Sequence, residues 1–209
     1  MSKYKFYASL LDAFKWYQAS ESETAEQEFI DKINRVPITD AKALERMNKG
    51  TAYNNAIDKA LSDKKLYSDD VIEVMGFYFD AKPLNDLIEQ LSGCVTQLFC
   101  ETTLGEFTIY GYLDFLLYDK VIDLKVSSSY DLGKYNGGIQ KHLYPLCLVD
   151  KGSEISAFEY WISVNDTLYK EPYIFDYEQS KNELLRVCNE LKYFIEQKRH
   201  LITDTKIFS

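Results

Sequence analysis

Two aspartates and a lysine stand close together near the middle of the chain. Asp114, Asp123 and Lys125 lie in the segment 111–125, where two apolar runs flank the polar pair Asp119-Lys120. This pattern is typical of an antiparallel hairpin. A hairpin centred on that pair places Asp114 opposite Lys125 and diagonal to Asp123, so that all three side chains project from one face of a sheet. A loop of odd length would change this register.

The three side chains together predict a site for a divalent cation. Mg²⁺ is typically bound by one or two carboxylates together with waters and phosphate oxygens, and two acids at diagonal strand positions can share one ion. A lysine beside them could orient or help deprotonate a water on the metal, or stabilise the charge that builds on an attacked phosphate. The alternative is a salt bridge between Asp114 and Lys125 without catalytic consequence, since acid–base pairs across strands are common.

The spacing of apolar residues predicts the elements that position this hairpin. Helices are expected over residues 4–18, 40–48, 51–62, 83–91, 134–149 and 177–199. Strands are expected over residues 71–79, 94–102, 107–118, 120–127 and 155–164. Gly50 is interpreted as the stop of the second helix, and the acidic stretch 20–31 as a solvated helical face. The centre of the chain therefore has the order helix, three strands, helix, strand.

Composition restricts the class of protein. With 209 residues, 46% of them apolar and 27% charged, the chain is expected to form a single α/β domain over 1–209. That domain would consist of a helical N-terminal part (1–92), a core sheet with the hairpin (93–165) and a C-terminal helix (166–209). The 24 basic and 33 acidic residues give a net charge of −9, which argues against a protein that coats nucleic acid through its overall charge.

The chain also lacks the sequence features of membrane and secreted proteins. Its apolar runs are shorter than the roughly 18 to 20 residues of a membrane span. The N-terminus leads into an amphipathic segment that contains Asp12 and Lys15, unlike the apolar core of a signal peptide. A cytoplasmic protein without membrane association is therefore expected.

A set of short motifs runs in order from residue 9 to residue 144. The pattern Gly-x-x-Asp, then Asp-x-Lys after two apolar residues, then Gln-x-x-x-Tyr is formed by Gly111, Asp114, Asp123, Lys125, Gln140 and Tyr144. Together with the segments 9–14 and 50–54, this set resembles the PD-(D/E)XK nuclease superfamily in its RecB-like exonuclease branch. The segment 9–14 is similar to the first helix of that branch, and 50–54 is similar to its Gly-Thr-x-x-His motif.

The resemblance implies a fold, an activity and a role for each matching residue. The fold would be a restriction-endonuclease-like αβββαβ core with extra N-terminal helices and a long C-terminal helix. Asp114 and Asp123 would bind the metal together with the main-chain carbonyl of Leu124, and Lys125 would be the catalytic lysine. Gln140 and Tyr144, which share a helix face, would help to position DNA.

The activity implied is a Mg²⁺- or Mn²⁺-dependent deoxyribonuclease, acting as an exonuclease at DNA ends in recombination, repair or phage DNA processing. DNA would be the partner, and the chain would be encoded by a bacterium or a phage. Strand polarity, the choice between DNA and RNA, a homo-oligomeric state and any recombination partner protein stay open.

Three features depart from the family pattern. Asn54 occupies the histidine position, and its amide oxygen is a weaker ligand for a transition metal, which would favour Mg²⁺, weaken metal binding or mark lost activity. Pro145 follows Tyr144 and predicts a kink or an end of that helix. An iron–sulfur cluster is not expected, because the cysteines lack the required spacing; they are Cys94, Cys100, Cys147 and Cys188.

Two other functions remain as alternatives. One is a catalytically weakened module of the same fold that binds nucleic acid or protein, and the presence of Asp114, Asp123 and Lys125 together argues against it. The other is a site-specific endonuclease, which the Gln-x-x-x-Tyr helix and the lack of an evident target-recognition domain make less favourable. The sequence therefore favours the exonuclease.

Overall fold

A computed structural model of the chain describes residues 3–165 and 167–208. In chain order the strands are β1 (Tyr4–Tyr7), β2 (Val71–Val74), β3 (Phe77–Asp80), β4 (Val95–Leu104), β5 (Phe107–Leu117), β6 (Lys120–Ser127), β7 (Ala157–Val164) and β8 (Thr167–Ile174). The helices are α1 (Ala8–Ala19), α2 (Ala25–Ile33), α3 (Ala41–Asp63), α4 (Ala81–Gln90), α5 (Gln140–Asp150) and α6 (Tyr177–Gln197). Within these ranges no helix combines the length and the apolar character needed to cross a bilayer.

Strand β5 is the central element of a six-stranded mixed sheet. One edge of β5 pairs with β4, antiparallel, from Phe107 to Leu116. The other edge is shared: β1 pairs with residues 107–110 in parallel, and β6 pairs with residues 115–117 antiparallel. The sheet then continues from β6 to β7 and β8. The segment between the β1 and β6 ladders leaves a gap along this edge of β5, at residues 111–114.

The two faces of the sheet pack on two different hydrophobic cores. One core joins the sheet to α1, α2, α5 and α6, and it includes Phe6, Leu113 and Leu191. The other core joins the hairpin end of the sheet to α3 and α4, and it includes Phe115 and Trp161. Odd-numbered β5 residues up to Leu113 face the first core, whereas Phe115 faces the second. The alternation of side chains along β5 is therefore interrupted between Leu113 and Phe115.

The predicted order of the central elements is confirmed, and so is the restriction-endonuclease-like α/β fold. Several local predictions are wrong. Residues 4–7 form strand β1 instead of the start of a helix, because Tyr4 and Phe6 alternate into the core while the backbone pairs with β5. The predicted strand 71–79 is a hairpin of β2 and β3, which turns at Met75-Gly76 with positive φ angles of 53° and 80°.

The predicted helix stop at Gly50 is also wrong. Helix α3 runs through Gly50 without interruption, after Asp40 caps its N-terminus by accepting a hydrogen bond from the N–H of Ala43. A mid-helix glycine costs about 1 kcal/mol relative to alanine, and the buried face at Ala52, Tyr53 and the following turns offsets that cost.

The ends of the last elements differ from the prediction as well. Residues 134–139 form turns, so α5 begins at Gln140. Pro145 lies inside α5 without ending it, contrary to one of the two predicted outcomes. The C-terminal part, expected to be a helix from residue 166, first contributes strand β8, which pairs antiparallel with β7.

Candidate active site

The hairpin that carries the acids has a different register from the predicted one. Leu117 pairs with Lys120 and Phe115 with Ile122, so the turn lies at Tyr118-Asp119. Extending this register places Asp114 opposite Asp123, and the predicted pairing of Asp114 with Lys125 is wrong. The difference amounts to two residues, and a shift of two preserves the alternation of side chains between faces. The convergence of the acids therefore survives the error in register.

Asp114 lies where β5 and β6 separate. The last pair of the β5–β6 ladder is Phe115 with Ile122, and Asp114 is the first residue of β5 beyond that pair. The Oδ2 atom of Asp114 accepts a hydrogen bond of 2.9 Å from the main-chain N–H of Leu124. The Asp114 carboxylate thus accepts the hydrogen bond that a main-chain carbonyl of β5 would accept in a continuous ladder. This contact holds it inside the gap in the edge of β5.

Four of the predicted site residues form a continuous chain of polar contacts. Asp123 is 2% exposed, and its Oδ2 atom lies 2.7 Å from Nζ of Lys125. Lys125 donates a hydrogen bond of 3.0 Å to Oε1 of Gln140, and Nε2 of Gln140 donates one of 3.4 Å to the hydroxyl of Tyr144. The structure therefore brings α5 against the acids. Gln140 and Tyr144, one turn apart, both lie on the helix face that meets them.

The glycine of the Gly-x-x-Asp motif has a steric role. A Cβ atom at Gly111 would lie 2.8 Å from Cε1 of Tyr144 and 3.3 Å from Cβ of Ala8. Real Cβ atoms do not approach other carbons so closely. Glycine at position 111 therefore lets the Tyr144 ring and the start of α1 pack directly on the strand that carries Asp114.

A third aspartate fixes the start of α5, and the site prediction did not include it. Oδ1 of Asp12 accepts a hydrogen bond of 2.6 Å from the N–H of Ile139, the residue that precedes α5. Burial raises the pKa of Asp12, the hydrogen bond from Ile139 opposes that rise, and the charges of Lys125 and Asp123 also act on it. Asp12 lies in the motif 9–14, and this motif was the sequence feature that could have indicated its place beside the site.

The charges at the centre are strongly coupled. Burial, followed by the neighbouring charge of Asp123, raises the pKa of Asp114 to about 7. Burial alone would lower the pKa of Lys125, but the carboxylates of Asp123, Asp114 and Asp12 together outweigh it, so the pKa of the ammonium rises. Lys125 is consequently a cation at neutral pH, whereas the Asp114 carboxyl group changes its protonation state near pH 7.

Helix α3 carries two further buried polar groups, on Asn54 and Asp58. Oδ1 of Asn54 and Oδ1 of Asp58 are buried and have no hydrogen-bond partner among the described residues. Burial raises the pKa of Asp58, a hydrogen bond with Gln97 opposes the rise, and the charge of Asp58 in turn acts on Asp114. Asp58 lies four residues after Asn54, and this spacing was a sequence indication that the two side chains share one helix face. Nothing in the sequence indicated Gln97.

The donor atoms at the centre fit a hard divalent cation. Within residues 3–165 and 167–208, no group of three or more His, Cys, Asp and Glu side chains is arranged to hold a metal. The acids here are a pair, Asp114 and Asp123; the main-chain carbonyl of Leu124 and the amide oxygen of Asn54, which is buried, are the further oxygen donors that the sequence predicted. Mg²⁺ typically uses one or two carboxylates and keeps several waters, so an oxygen-only set of this size suits it.

An open groove lies beside helix α3. Its volume is about 720 Å³, and it lies between α3, the β2–β3 hairpin and the loop after β6. Its lining contains Tyr53 and Val126, the sequence neighbours of Asn54 and Lys125, as well as three cations and two acids: Arg46, Lys49, Lys134, Glu45 and Asp80. The cations outnumber the acids in this lining by one, which suits an anionic chain.

Comparisons with known proteins support the fold. A candidate exonuclease from Eubacterium rectale superposes on 95% of this chain and 83% of its own, with a TM-score of 0.59 and 14% sequence identity. The fold is the restriction-endonuclease-like α/β fold. Similarity extends to an alkaline exonuclease from Laribacter hongkongensis (TM-score 0.41, 12% identity, 94% of both chains) and to the protein SSO0001 (TM-score 0.47, 12% identity, 90% of this chain and 77% of the other).

Sequence comparison adds nothing to this result, because no protein-family profile and no curated protein matches the chain. At 14% identity the likeness establishes the fold. One fold supports many activities, so the function has to be argued from the site.

Proposed function

We propose that the protein is a deoxyribonuclease that hydrolyses phosphodiester bonds with the help of Mg²⁺ or Mn²⁺. The observation that carries this proposal is the contact chain from Asp123 through Lys125 to Gln140, beside Asp114 in the gap of the sheet. Two carboxylates that share one buried space repel each other, and the raised pKa of Asp114 reflects its burial and, after that, this repulsion. A divalent cation between them would relieve it.

The metal would be held by Asp114, Asp123 and the carbonyl of Leu124, with Asn54 as a weak additional ligand. When bound, such a cation supplies Lewis acidity at the phosphate and lowers the pKa of a water ligand. The protein residues keep the surroundings dry and ordered, since Asp123 is buried and the N–H of Leu124 fixes the orientation of Asp114.

Lys125 would stabilise the negative charge that builds on the attacked phosphate. Its ammonium is protonated, and Gln140 holds it at 3.0 Å. Tyr144 supports Gln140, and Asp12 fixes the helix that carries both. A cation positioned in this way contributes most in the transition state. This arrangement favours an electrostatic role for Lys125 over that of a proton acceptor.

We further propose an exonuclease that acts at DNA ends. The similarity to the candidate exonuclease from Eubacterium rectale supports this choice. A catalytically weakened binding module is the main rival, because Asn54 replaces the expected histidine. The two proposals differ in whether the chain turns over DNA in the presence of metal.

Cleavage of end-labelled linear DNA and of closed circular DNA, each with Mg²⁺, Mn²⁺ or a chelator, tests the proposal. We expect metal-dependent release of label from the linear substrate, an intact circle, and no cleavage by Asp114→Asn. Cleavage of the circle would favour an endonuclease. Binding without cleavage of either substrate would favour the weakened module.

A further inference from the structure

The outer face of strands β1, β5 and β4 carries a row of aromatic side chains. Tyr7 pairs with Tyr110, and Tyr112 pairs with Phe99, so the side chains of each pair project to the same side. The alternate residues of these strands, among them Phe6, Ile109, Leu113 and Cys100, point into the core on the opposite side. The row is therefore directed away from the core.

The four rings form one contiguous surface, in which Tyr112 and Phe99 are exposed whereas Tyr110 and Tyr7 are half-buried. The centroids of Phe99 and Tyr112 lie 5.2 Å apart, and Tyr110 lies 6.2 Å from both Phe99 and Tyr7. Tyr112 is 60% exposed and Phe99 is 40% exposed. Scattered exposed aromatics are common, but adjacent rings in mutual contact on a sheet face are typical of a binding surface.

This aromatic row leads directly to the candidate active site. Tyr110, Tyr112 and Asp114 are alternate residues of β5, so successive side chains are about 6.8 Å apart. That spacing is about twice the rise of ~3.4 Å per nucleotide along one strand of B-DNA. A nucleic-acid strand that followed the row would therefore be extended and unpaired, with its next phosphate beside Asp114.

Two cations lie over rings of this surface. Nζ of Lys5 lies 5.0 Å from the Tyr110 ring centroid, and the Arg35 guanidinium lies 5.0 Å from that of Tyr7. Two acids are near: Asp204 pairs with Arg35 at 2.6 Å, and Glu101 is opposite Tyr110 in the ladder. Cations that lie over these rings can contact the phosphates of a nucleic acid whose bases stack on the rings.

We propose that Tyr112, Phe99 and Tyr110 form a base-stacking platform that holds unpaired nucleotides of the DNA strand whose phosphate reaches Asp114. The inference rests on the proposed nuclease function and narrows its substrate to single-stranded DNA or to the frayed end of a duplex. Stacking on aromatic rings is tolerant of sequence, because every base has a π-face. The platform therefore selects the unpaired state and no particular base.

The test compares Tyr112→Leu and Phe99→Leu with Tyr193→Leu. Tyr193 lies on α6 and is 63% exposed, close to the 60% of Tyr112, so it serves as a matched control. Affinities for a labelled single strand and for a blunt duplex are measured in Ca²⁺, which usually supports binding without hydrolysis, and melting temperatures confirm folding. We expect each platform variant to lose roughly 5- to 100-fold in single-strand affinity, Tyr112→Trp to retain it, and Tyr193→Leu to match the parent.

Other results would overturn the proposal. Unchanged single-strand affinity in both platform variants excludes stacking there, and an equal loss for single strand and duplex excludes selection of unpaired bases. A parent dimer that dissociates in Tyr112→Leu, seen by sedimentation, would assign the surface to a second copy of this chain. Failure of the proposed function is distinct, because it would appear as a parent protein that cleaves no DNA with any metal.

Discussion

Asp114 accepts a hydrogen bond of 2.9 Å from the main-chain N–H of Leu124, across the point where strands β5 and β6 separate. This contact ties the first acid to the backbone between the second acid, Asp123, and Lys125. It also holds Asp114 close enough to Asp123 for the two charges to interact, and this interaction adds to burial in raising the pKa of Asp114 to about 7.

Asp114→Asn is expected to abolish cleavage and to change how stability depends on pH. The pKa of Asp114 rises from an ordinary value of 3.8 to about 7 on folding. The metal-free parent therefore has its full stability from this group below pH 3.8 and loses it as the pH rises through about 7, by an amount on the order of a few kcal/mol. Urea unfolding without metal at pH 5 and pH 8 measures the difference.

The variant lacks this titration, so its stability should vary less between the two pH values and should equal or exceed that of the parent at pH 8. An equally large decline in stability in the variant would show that other groups cause the pH dependence. A lower stability at pH 8 would favour a structural role for the Asp114 carboxylate.

Asp123→Asn is expected to abolish cleavage and also to destabilise the fold. Asp123 is buried and is the ion-pair partner of Lys125, so the substitution leaves the ammonium with its hydrogen bond to Gln140 but without this carboxylate. We expect a loss of about 1–3 kcal/mol in unfolding free energy. The double variant Asp123→Asn/Lys125→Met should recover stability, because the unpaired charge is then absent. No recovery would contradict the proposed role of the ion pair.

Lys125→Met is expected to keep DNA binding and to lose turnover. Methionine retains most of the apolar stem, so packing beside the Tyr160 ring, 5.7 Å from Nζ of Lys125, is preserved. A charge that acts mainly in the transition state typically contributes roughly 100- to 10,000-fold in rate. DNA affinity in Ca²⁺ and turnover in Mg²⁺ are compared. Equal losses in both would make Lys125 a phosphate anchor.

Asn54→His is expected to strengthen Mn²⁺ binding and to raise Mn²⁺-supported activity. Imidazole is a better ligand for this ion than a neutral amide oxygen, and Oδ1 of Asn54 is buried without a hydrogen-bond partner among the described residues. Calorimetric titration with Mn²⁺ measures the change. Asn55→His is the control, since Asn55 is exposed on the same helix. The same gain in both variants, or in neither, would remove residue 54 from the metal site.

Arg46→Gln/Lys49→Gln is expected to weaken DNA binding through the groove beside α3. The variant removes two cations from the groove lining, so affinity should fall and the slope of log affinity against log salt should decrease by about 1.5. Lys64→Gln/Lys65→Gln removes two exposed charges just beyond the other end of α3 and is the control. An identical effect of both variants would indicate a response to net charge alone.

Short-range features of the sequence were sufficient to predict the site hairpin. The apolar runs around Tyr118-Asp119 specify two strands, and alternation along a strand puts Asp123 and Lys125 on one face. The turn itself was predicted one residue too late, because Tyr118 adopts a positive φ of 55° that its residue type does not favour. The error was harmless to the convergence of the acids only because the register moved by two.

Contacts between distant segments decided what the sequence alone did not show. Strand β1 has four residues, and it is a strand because its partner β5 lies about a hundred residues away; local periodicity had indicated a helix. Asp12 belongs to the site because α1 meets the start of α5, and Asp58 because α3 packs beside the hairpin end of the sheet. Such contacts depend on which elements meet, and pairing over long separations leaves no local pattern in the sequence.

The sequence by itself therefore determined the identity and the order of the candidate site residues, since residue types and strand alternation are local properties. Only the tertiary structure decided their environment. The gap in the edge of β5, the burial of Asp123 and the coupling of the two acids all arise where β1, β4 and β6 meet around one strand. Burial and proximity are properties of the assembled sheet, and they set the charges on which the proposed chemistry depends.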